Sequence, residues 1–148
     1  MPTKPLVVSP RDRARPLNVV GEQITVLASN AATGGYEIFL QDGPPGSGPP
    51  PHAHPWDECF YVTRGDIEFG IGDRAMTGGP GTLVHVPAGT VHWFRFREGG
   101  GEMLSVTGAG SEASALFSDI DAEIPPGIPD KEKLRGIAVR NRMQVFVE

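Results

Sequence analysis

GSGPPPHAHPWDECFYVTRG, residues 46–65, decides the fold because it places two histidines and a glutamate around a proline turn. His52 and His54 are separated by a single residue, so on an extended strand they project from the same face. Glu58 cannot share that straight strand, because its six residues would span about 20 Å and a metal shell has a radius of about 2 Å. The sequence therefore predicts a chain reversal at residues 55–57, where proline fixes φ and aspartate favours a turn.

A second stretch, residues 81–92, reads GTLVHVPAGTVH and ends in a third histidine. Its Pro-Ala-Gly at residues 87–89 predicts another turn, with His92 at the head of the next strand. Three imidazoles and one carboxylate suit a divalent transition metal, and they do not discriminate among Fe, Mn, Ni, Co, Zn and Cu. We therefore predict one such ion per chain, bound by His52, His54, Glu58 and His92.

The two stretches resemble the two motifs of the cupin superfamily. Residues 46–65 read as Gly, five residues, His-x-His, three residues, Glu, six residues, Gly, which is similar to the first motif without a gap. Residues 81–92 read as Gly, five residues, Pro-x-Gly, two residues, His, which is similar to the second, and fifteen residues separate the motifs. The second motif usually ends in an asparagine that is not a ligand, and Phe96 stands at that position here.

The resemblance implies an all-β fold, a double-stranded β-helix or jelly-roll barrel, with the motif core at residues 46–96. It also implies homodimers. The general layout and the proline-rich tail are similar to bacterial single-domain cupins described as quercetin-dioxygenase-like. We expect one cupin domain over residues 1–148, with an N-terminal arm at 1–28 and a C-terminal tail with a short helix at 111–148.

Composition fits this picture and excludes several functions. A chain of 148 residues can bury one core, and 20 glycines and 15 prolines are typical of short strands joined by turns. The net charge is −5 and no stretch is strongly basic, so we expect neither nucleic acid nor a membrane surface as a partner. One cysteine excludes an internal disulfide, and with no signal peptide or bilayer span we expect a cytoplasmic protein.

Hydrophobic alternation and turn residues predict the regular elements. The predicted helix in the tail spans 130–141 with Asp130 as its N-cap, after a short helical turn at 111–117. Two placements for this helix are open, a lid over the site or packing on the barrel exterior, and we favour the exterior. The predicted strands are 24–27, 36–40, 58–64, 66–71, 82–86, 91–96 and 102–107, with a final extended segment at 144–147.

Several side chains near the ligands are candidates for a substrate pocket. Side chains an even number of positions from a ligand on the same strand should face inward with it. They could line the pocket, belong to the barrel core or do both. Trp56 lies in the turn and would either close the pocket or pack on the surface. We expect Cys59 and Arg95 to face away from the metal, and His85 to be structural rather than a fifth ligand. The predicted pocket residues are Trp56, Phe60, Val62, Phe94 and Phe96.

The sequence favours a metal-dependent enzyme. Four protein ligands leave two positions open on an octahedral ion, which is typical of a catalytic metal. Glu58 is the candidate catalytic residue, because off the metal it would be a base beside a bound hydroxyl. The resemblance implies an oxidoreductase, dioxygenase-like, acting on a small enolic or aromatic molecule. The alternatives are a non-redox isomerase, cyclase or lyase, and a metal-dependent binding protein without turnover.

Overall fold

The computed structural model describes residues 2–146, and its framework is two antiparallel β-sheets. The strands are β1 (Leu17–Val19), β2 (Glu22–Ala28), β3 (Glu37–Gly43), β4 (His52–Ala53), β5 (Glu58–Arg64), β6 (Ile67–Ile71), β7 (Arg74–Gly78), β8 (Leu83–Val86), β9 (His92–Phe96), β10 (Gly101–Thr107) and β11 (Gln144–Val145). The helices are α1 (Asn30–Thr33), α2 (Ala113–Glu123) and α3 (Lys131–Arg140), and a 3-10 turn spans Pro10–Asp12.

The two sheets face each other as the walls of a jelly-roll barrel. One sheet has the order β1-β2-β3-β10-β5-β8, and the other has the order β11-β4-β9-β6-β7. Neighbours in each order pair antiparallel and are mostly distant in sequence, as β10 with both β3 and β5. The predicted all-β jelly-roll fold with a short C-terminal helix is confirmed.

Side-chain alternation explains why these strands form walls with one buried face. In β5, Glu58, Phe60 and Val62 are buried, while Tyr61 and Thr63 are exposed. The same period of two runs through β9 and β10. The inward apolar side chains form a cluster that we call the barrel core: Phe60, Val62, Ile67, Phe69, Val84, Val86, Phe94, Phe96 and Met103.

A second apolar cluster closes one end of the barrel. It combines side chains from β1 to β3 with Trp56 and with the buried faces of α2 and α3. We call this cluster the cap core: Val19, Ile24, Phe39, Trp56, Ala113, Leu116, Ile120, Ile124 and Ile137. The helices therefore pack on the barrel as part of its buried interior rather than as a separate unit.

Several elements, among them β1, differ from the sequence-based prediction. Strand β7 was not predicted, because four of its five residues are exposed and leave no alternating pattern. Helix α2 reaches Glu123, well beyond the predicted helical turn, and the single turn α1 was not predicted. The predicted helix α3 is present with Asp130 as its N-cap, and Asp130 Oδ1 accepts a hydrogen bond from Lys133 N at 3.1 Å.

The C-terminal segment pairs with the strand that carries the first histidine. Val145 lies opposite His52 in the β11–β4 pair, and Phe146 N donates to Pro51 O at 2.8 Å. Residue 147 of the predicted extended segment lies outside the described residues. Among residues 2–146, no helix has the length and apolar character needed to span a membrane.

Candidate functional site

The three motif histidines converge inside the barrel. His52 on β4 lies directly opposite His92 on β9, and His54 follows β4 at the start of the predicted turn. All three are buried, with 2–6% of their surface exposed. Their ring centroids are 4.2 Å apart for His52 and His92, and 5.0 Å apart for His54 and His92. One nitrogen from each ring lies within 4.8 Å of the others, so the three form a group able to hold a metal ion.

Glu58 meets the histidines from the other sheet. It begins β5 after the reversal at residues 55–57, and it is 7% exposed. Its Oε1 is 3.0 Å from His54 Nε2 and 3.3 Å from His92 Nε2. The four side chains that the sequence placed around one ion are therefore neighbours in the fold.

The outer nitrogen of each ring is fixed by a backbone carbonyl. A carbonyl only accepts, so each Nδ1 donates its proton to a carbonyl and each Nε2 faces inward. An Nε2 that faces a carboxylate oxygen then needs a positive charge between them, either a second ring proton or a metal cation. This is the usual orientation of metal-binding histidines, and the residues fit a metal. The acceptors are Pro50 O for His52, Trp56 O for His54 and Thr90 O for His92, at 2.9, 2.9 and 2.8 Å.

The protonation states of the ligands also fit a cation. Burial, together with the nearby His92, lowers the pKa of His52 to about 3, so its ring is neutral at physiological pH. Burial acts to raise the pKa of Glu58, but its hydrogen bonds with His54 and His92 outweigh burial and lower that pKa to about 2. Neutral imidazole and ionised carboxylate are the forms that bind metals.

A cavity of about 410 Å³ lies against this cluster. Its lining includes the polar side chains of His52, His54 and Glu58 together with residues of α2 and α3. Apolar side chains from both cores contribute, so the cavity sits between the barrel core and the cap core. Such a volume, mostly apolar with a few convergent polar groups, is typical of small-molecule sites.

Comparison with known proteins agrees with this fold. Residues 39–107 match the family model for the cupin domain. The solved structure of KdgF from Halomonas sp. is 17% identical, aligns over 75% of this chain and 99% of its own, and has a TM-score of 0.68. The matched segment contains both histidine motifs, and the protein has the cupin fold.

Other solved structures share the cupin fold at similar distance. The polyketide cyclase RemF from Streptomyces resistomycificus is 22% identical, with 71% of this cupin and 80% of RemF aligned and a TM-score of 0.61. The DMSP lyase DddQ from Ruegeria pomeroyi is 22% identical, with 71% and 51% aligned and a TM-score of 0.55. At these identities the likeness is one of fold. The comparison with curated proteins found no match.

The cupin barrel divides the predicted pocket residues into two groups. Trp56 and Phe94 line the cavity. Trp56 is 2% exposed and stacks on the His54 ring at 4.5 Å, so it supports a ligand from within the cap core rather than from the surface. Phe60, Val62 and Phe96 do not line the cavity, because their strands continue past the ligands into the closed barrel core.

Three other predicted placements can be compared with the cupin structure. His85 is exposed on β8 opposite Cys59, and it is outside the histidine group. Cys59 is half-buried, and burial raises the pKa of its thiol. The Arg95 guanidinium is exposed and lies 5.8 Å from the Trp93 ring centroid. His85 and Cys59 point away from the histidine cluster, whereas Arg95, which strand parity placed on the outer face, is exposed but also borders the cavity.

Sequence reasoning missed several groups around the cavity of this cupin. Glu22 lines it from β2 and is 4% exposed. Gln41 lines it from β3, and its Nε2 donates to Ser105 Oγ at 2.9 Å. The available signal was an acidic or amide residue at a strand position where alternation predicts burial. Glu22 lies two positions before Ile24 and therefore on the same buried face of β2. Helix α3 also lines the cavity, so the two placements that the sequence left open, packing on the barrel and covering the site, do not exclude each other. The contributing α3 residues are Lys131, Leu134, Arg135 and Ala138.

Proposed function

We propose that this cupin binds one divalent transition metal through His52, His54, Glu58 and His92 and acts on a small molecule in the adjoining cavity. The observation that carries the proposal is the meeting of these four donors beside a cavity of about 410 Å³, which His52, His54 and Glu58 line. Zinc-sized ions would have ligand distances of about 2.0–2.2 Å. The mostly apolar lining favours a largely apolar molecule, and the metal end favours one that carries oxygen groups.

Non-redox chemistry is the reaction class that the cavity supports best: isomerisation, cyclisation or elimination. A bound ion would polarise a substrate carbonyl or hydroxyl as a Lewis acid. Glu22, a second buried carboxyl group in the same cavity, supports proton transfer next to that oxygen. The similar structures named as a polyketide cyclase and a DMSP lyase are consistent with this class, but their likeness is in fold.

The dioxygenase expected from the sequence is the second candidate. Its support is the donor set, because three imidazoles and a carboxylate suit iron and leave open positions. In that reaction Glu58 would leave the metal and take a proton from a bound enol. The third candidate is a binding protein without turnover, which needs the same site and the same cavity.

Metal analysis followed by paired assays separates these candidates. The purified protein is loaded with Fe²⁺, Zn²⁺ or Mn²⁺ and offered acetylacetone, hydroxyacetone and quercetin in air and under argon. Product formation under argon supports the non-redox proposal, and oxygen uptake that disappears in His92→Ala supports the dioxygenase. Binding without product in either atmosphere supports the binding protein. A protein that binds none of these metals would refute the proposed function.

We also propose that the protein is one cupin domain that forms a cytoplasmic homodimer. In the structure, β2 of the N-terminal arm (residues 1–28) lies between β1 and β3 of its own chain, and β1 is an edge strand of that sheet. A stable dimer would bury at least about 1,200 Å² in total. Light scattering at micromolar concentration tests this, and a clean monomer would contradict it.

A further inference from the structure

Glu22 is a buried carboxyl group without a visible role in folding. It is 4% exposed, and its Oε1 has no hydrogen-bond partner within residues 2–146. Leaving such a group unpaired in an apolar setting destabilises a protein. A residue that is kept at this cost is a candidate for function.

Another buried glutamate of the same sheet shows what a structural carboxylate looks like. Glu37 on β3 is 0% exposed, and its oxygens accept hydrogen bonds from Ser111 Oγ at 2.6 Å, Ser114 N at 3.1 Å and Asn30 N at 3.0 Å. These bonds tie the start of α2 to the sheet. Glu22 has no comparable set of donors, although both residues face inward.

The fold directs Glu22 into the cavity. The β1–β2 hairpin turns at Val20 and Gly21, which both have positive φ, and Glu22 begins β2 with the same buried parity as Ile24. Val19, Val20 and Glu22 all line the cavity that also contains His52, His54 and Glu58. Burial, and then repulsion from the Glu58 carboxylate, raise the pKa of Glu22 to about 8. The group therefore keeps its proton at neutral pH.

A second unpartnered polar atom belongs to the same cavity lining. Trp56 is 2% exposed, and its indole Nε1 has no acceptor in the described part of the chain. Glu22 and Trp56 thus offer an O–H and an N–H that the protein itself leaves unused. A bound molecule with oxygen acceptors would satisfy both donors.

We propose that Glu22 is a catalytic acid that hydrogen-bonds to an oxygen of the molecule held at the metal centre and protonates that oxygen during the reaction. This inference rests on the proposed function. The O–H bond of the Glu22 carboxyl group breaks, its electron pair stays on the carboxylate, and a new O–H bond forms on the substrate oxygen as negative charge develops there. Solvent returns the proton to Glu22 when the product leaves. The substrate class is a carbonyl or enol compound with a largely apolar body.

The test compares metal-loaded wild type with Glu22→Gln, which keeps the shape and a hydrogen-bond donor but holds no transferable proton. Infrared difference spectra at neutral pH should contain the C=O stretch of a protonated carboxyl group that is absent from Glu22→Gln. Adding acetylacetone or catechol, both metal chelators, should shift that band. With any substrate found in the argon assay, kcat should fall roughly 100-fold in Glu22→Gln with little change in KM or metal content.

Glu37→Gln is the matched control from the same sheet. It should lower the melting temperature but leave the chelator-induced infrared shift in place. Absence of the protonated band, or a band that does not move when a chelator binds, would overturn the role of Glu22 alone. Failure to bind metal, or failure of the metal-loaded protein to bind either chelator, would count against the proposed function, so the two failures are distinguishable.

Discussion

The barrel core and the cap core bury similar apolar side chains, but they differ in how much of each borders the cavity. The barrel core consists of strand residues that are 0–6% exposed, and only Phe94 among them reaches the cavity. The cap core joins three strands, one turn and two helices, and several of its members border the cavity. Close packing stabilises the first region, while the imperfect fit between strands and helices in the second leaves room for a ligand.

The first prediction concerns the stability that each region provides. Phe69→Ala in the barrel core should lower the free energy of unfolding by about 3–5 kcal/mol, because nothing nearby can fill the space. Phe117→Ala should cost less than half as much. Phe117 packs edge-on against Phe39 at 5.1 Å, but it also borders the cavity and so makes fewer contacts. Urea denaturation measures both, and equal losses would remove the contrast.

The second prediction separates folding from metal binding. His92→Ala should weaken metal binding by at least roughly 100-fold, since loss of a ligand exceeds the effect of losing an outer-shell partner. The metal-free variant should still fold, because the barrel has its own core and does not depend on the ion as a zinc finger does. His85→Ala, on the outer face of β8, is the control and should bind metal normally. Unfolding of wild type on metal removal would make the site structural instead.

The barrel was predictable because its signals are local. Alternation places Glu58, Phe60 and Val62 on the inward face of β5. The turns at residues 55–57 and 87–89 bring the histidines of the other sheet opposite that face. The motif spacing then selects the family and, with it, the sheet pairing between distant strands. Strand β7 was missed for the same reason, because its exposed side chains carry no alternation.

The cap was less predictable because its contacts link segments that are far apart in sequence. The start of α2 is held by Glu37, about 75 residues earlier, and no local pattern shows that pairing. The position of α3 depends on β11 pairing with β4, which brings the tail back to His52. Glu22 was missed because a glutamate at a strand start reads as a solvated residue until the helices cover it.

The third prediction uses pH to detect Glu22 in the cap region. Its folded-state pKa of about 8 exceeds the ordinary 4.5, so the folded protein holds a proton that the unfolded chain releases. The stability contributed by Glu22 is complete below the unfolded pKa and is lost as the pH rises to the folded value. Metal-free wild type should therefore lose at least about 1 kcal/mol relative to Glu22→Gln between about pH 5 and pH 8. Paired urea titrations measure the difference.

The charged groups that share the cavity with Glu22 are the same in both proteins, so the comparison isolates Glu22 together with its repulsion from Glu58. They are His52, His54, Glu58, Arg95, Lys131 and Arg135. A difference that stays flat across the range would mean that Glu22 is ionised in the folded state. In that case the cavity would be more polar than its lining indicates.

The smallest effect should be confined to helix α3. Asp130→Ala removes the N-cap bond to Lys133 N and should destabilise the helix by about 1 kcal/mol, whereas Asp130→Asn keeps a capping oxygen and should not. Hydrogen exchange should therefore accelerate about fivefold in α3 amides, while amides of β6 and β9 keep their rates. If barrel amides accelerated equally, cap and barrel would unfold as one unit. Exchange that accelerates only in α3 would mean that this helix, which lines the cavity, opens while the barrel stays folded. Such opening would give a small molecule a route into the cavity.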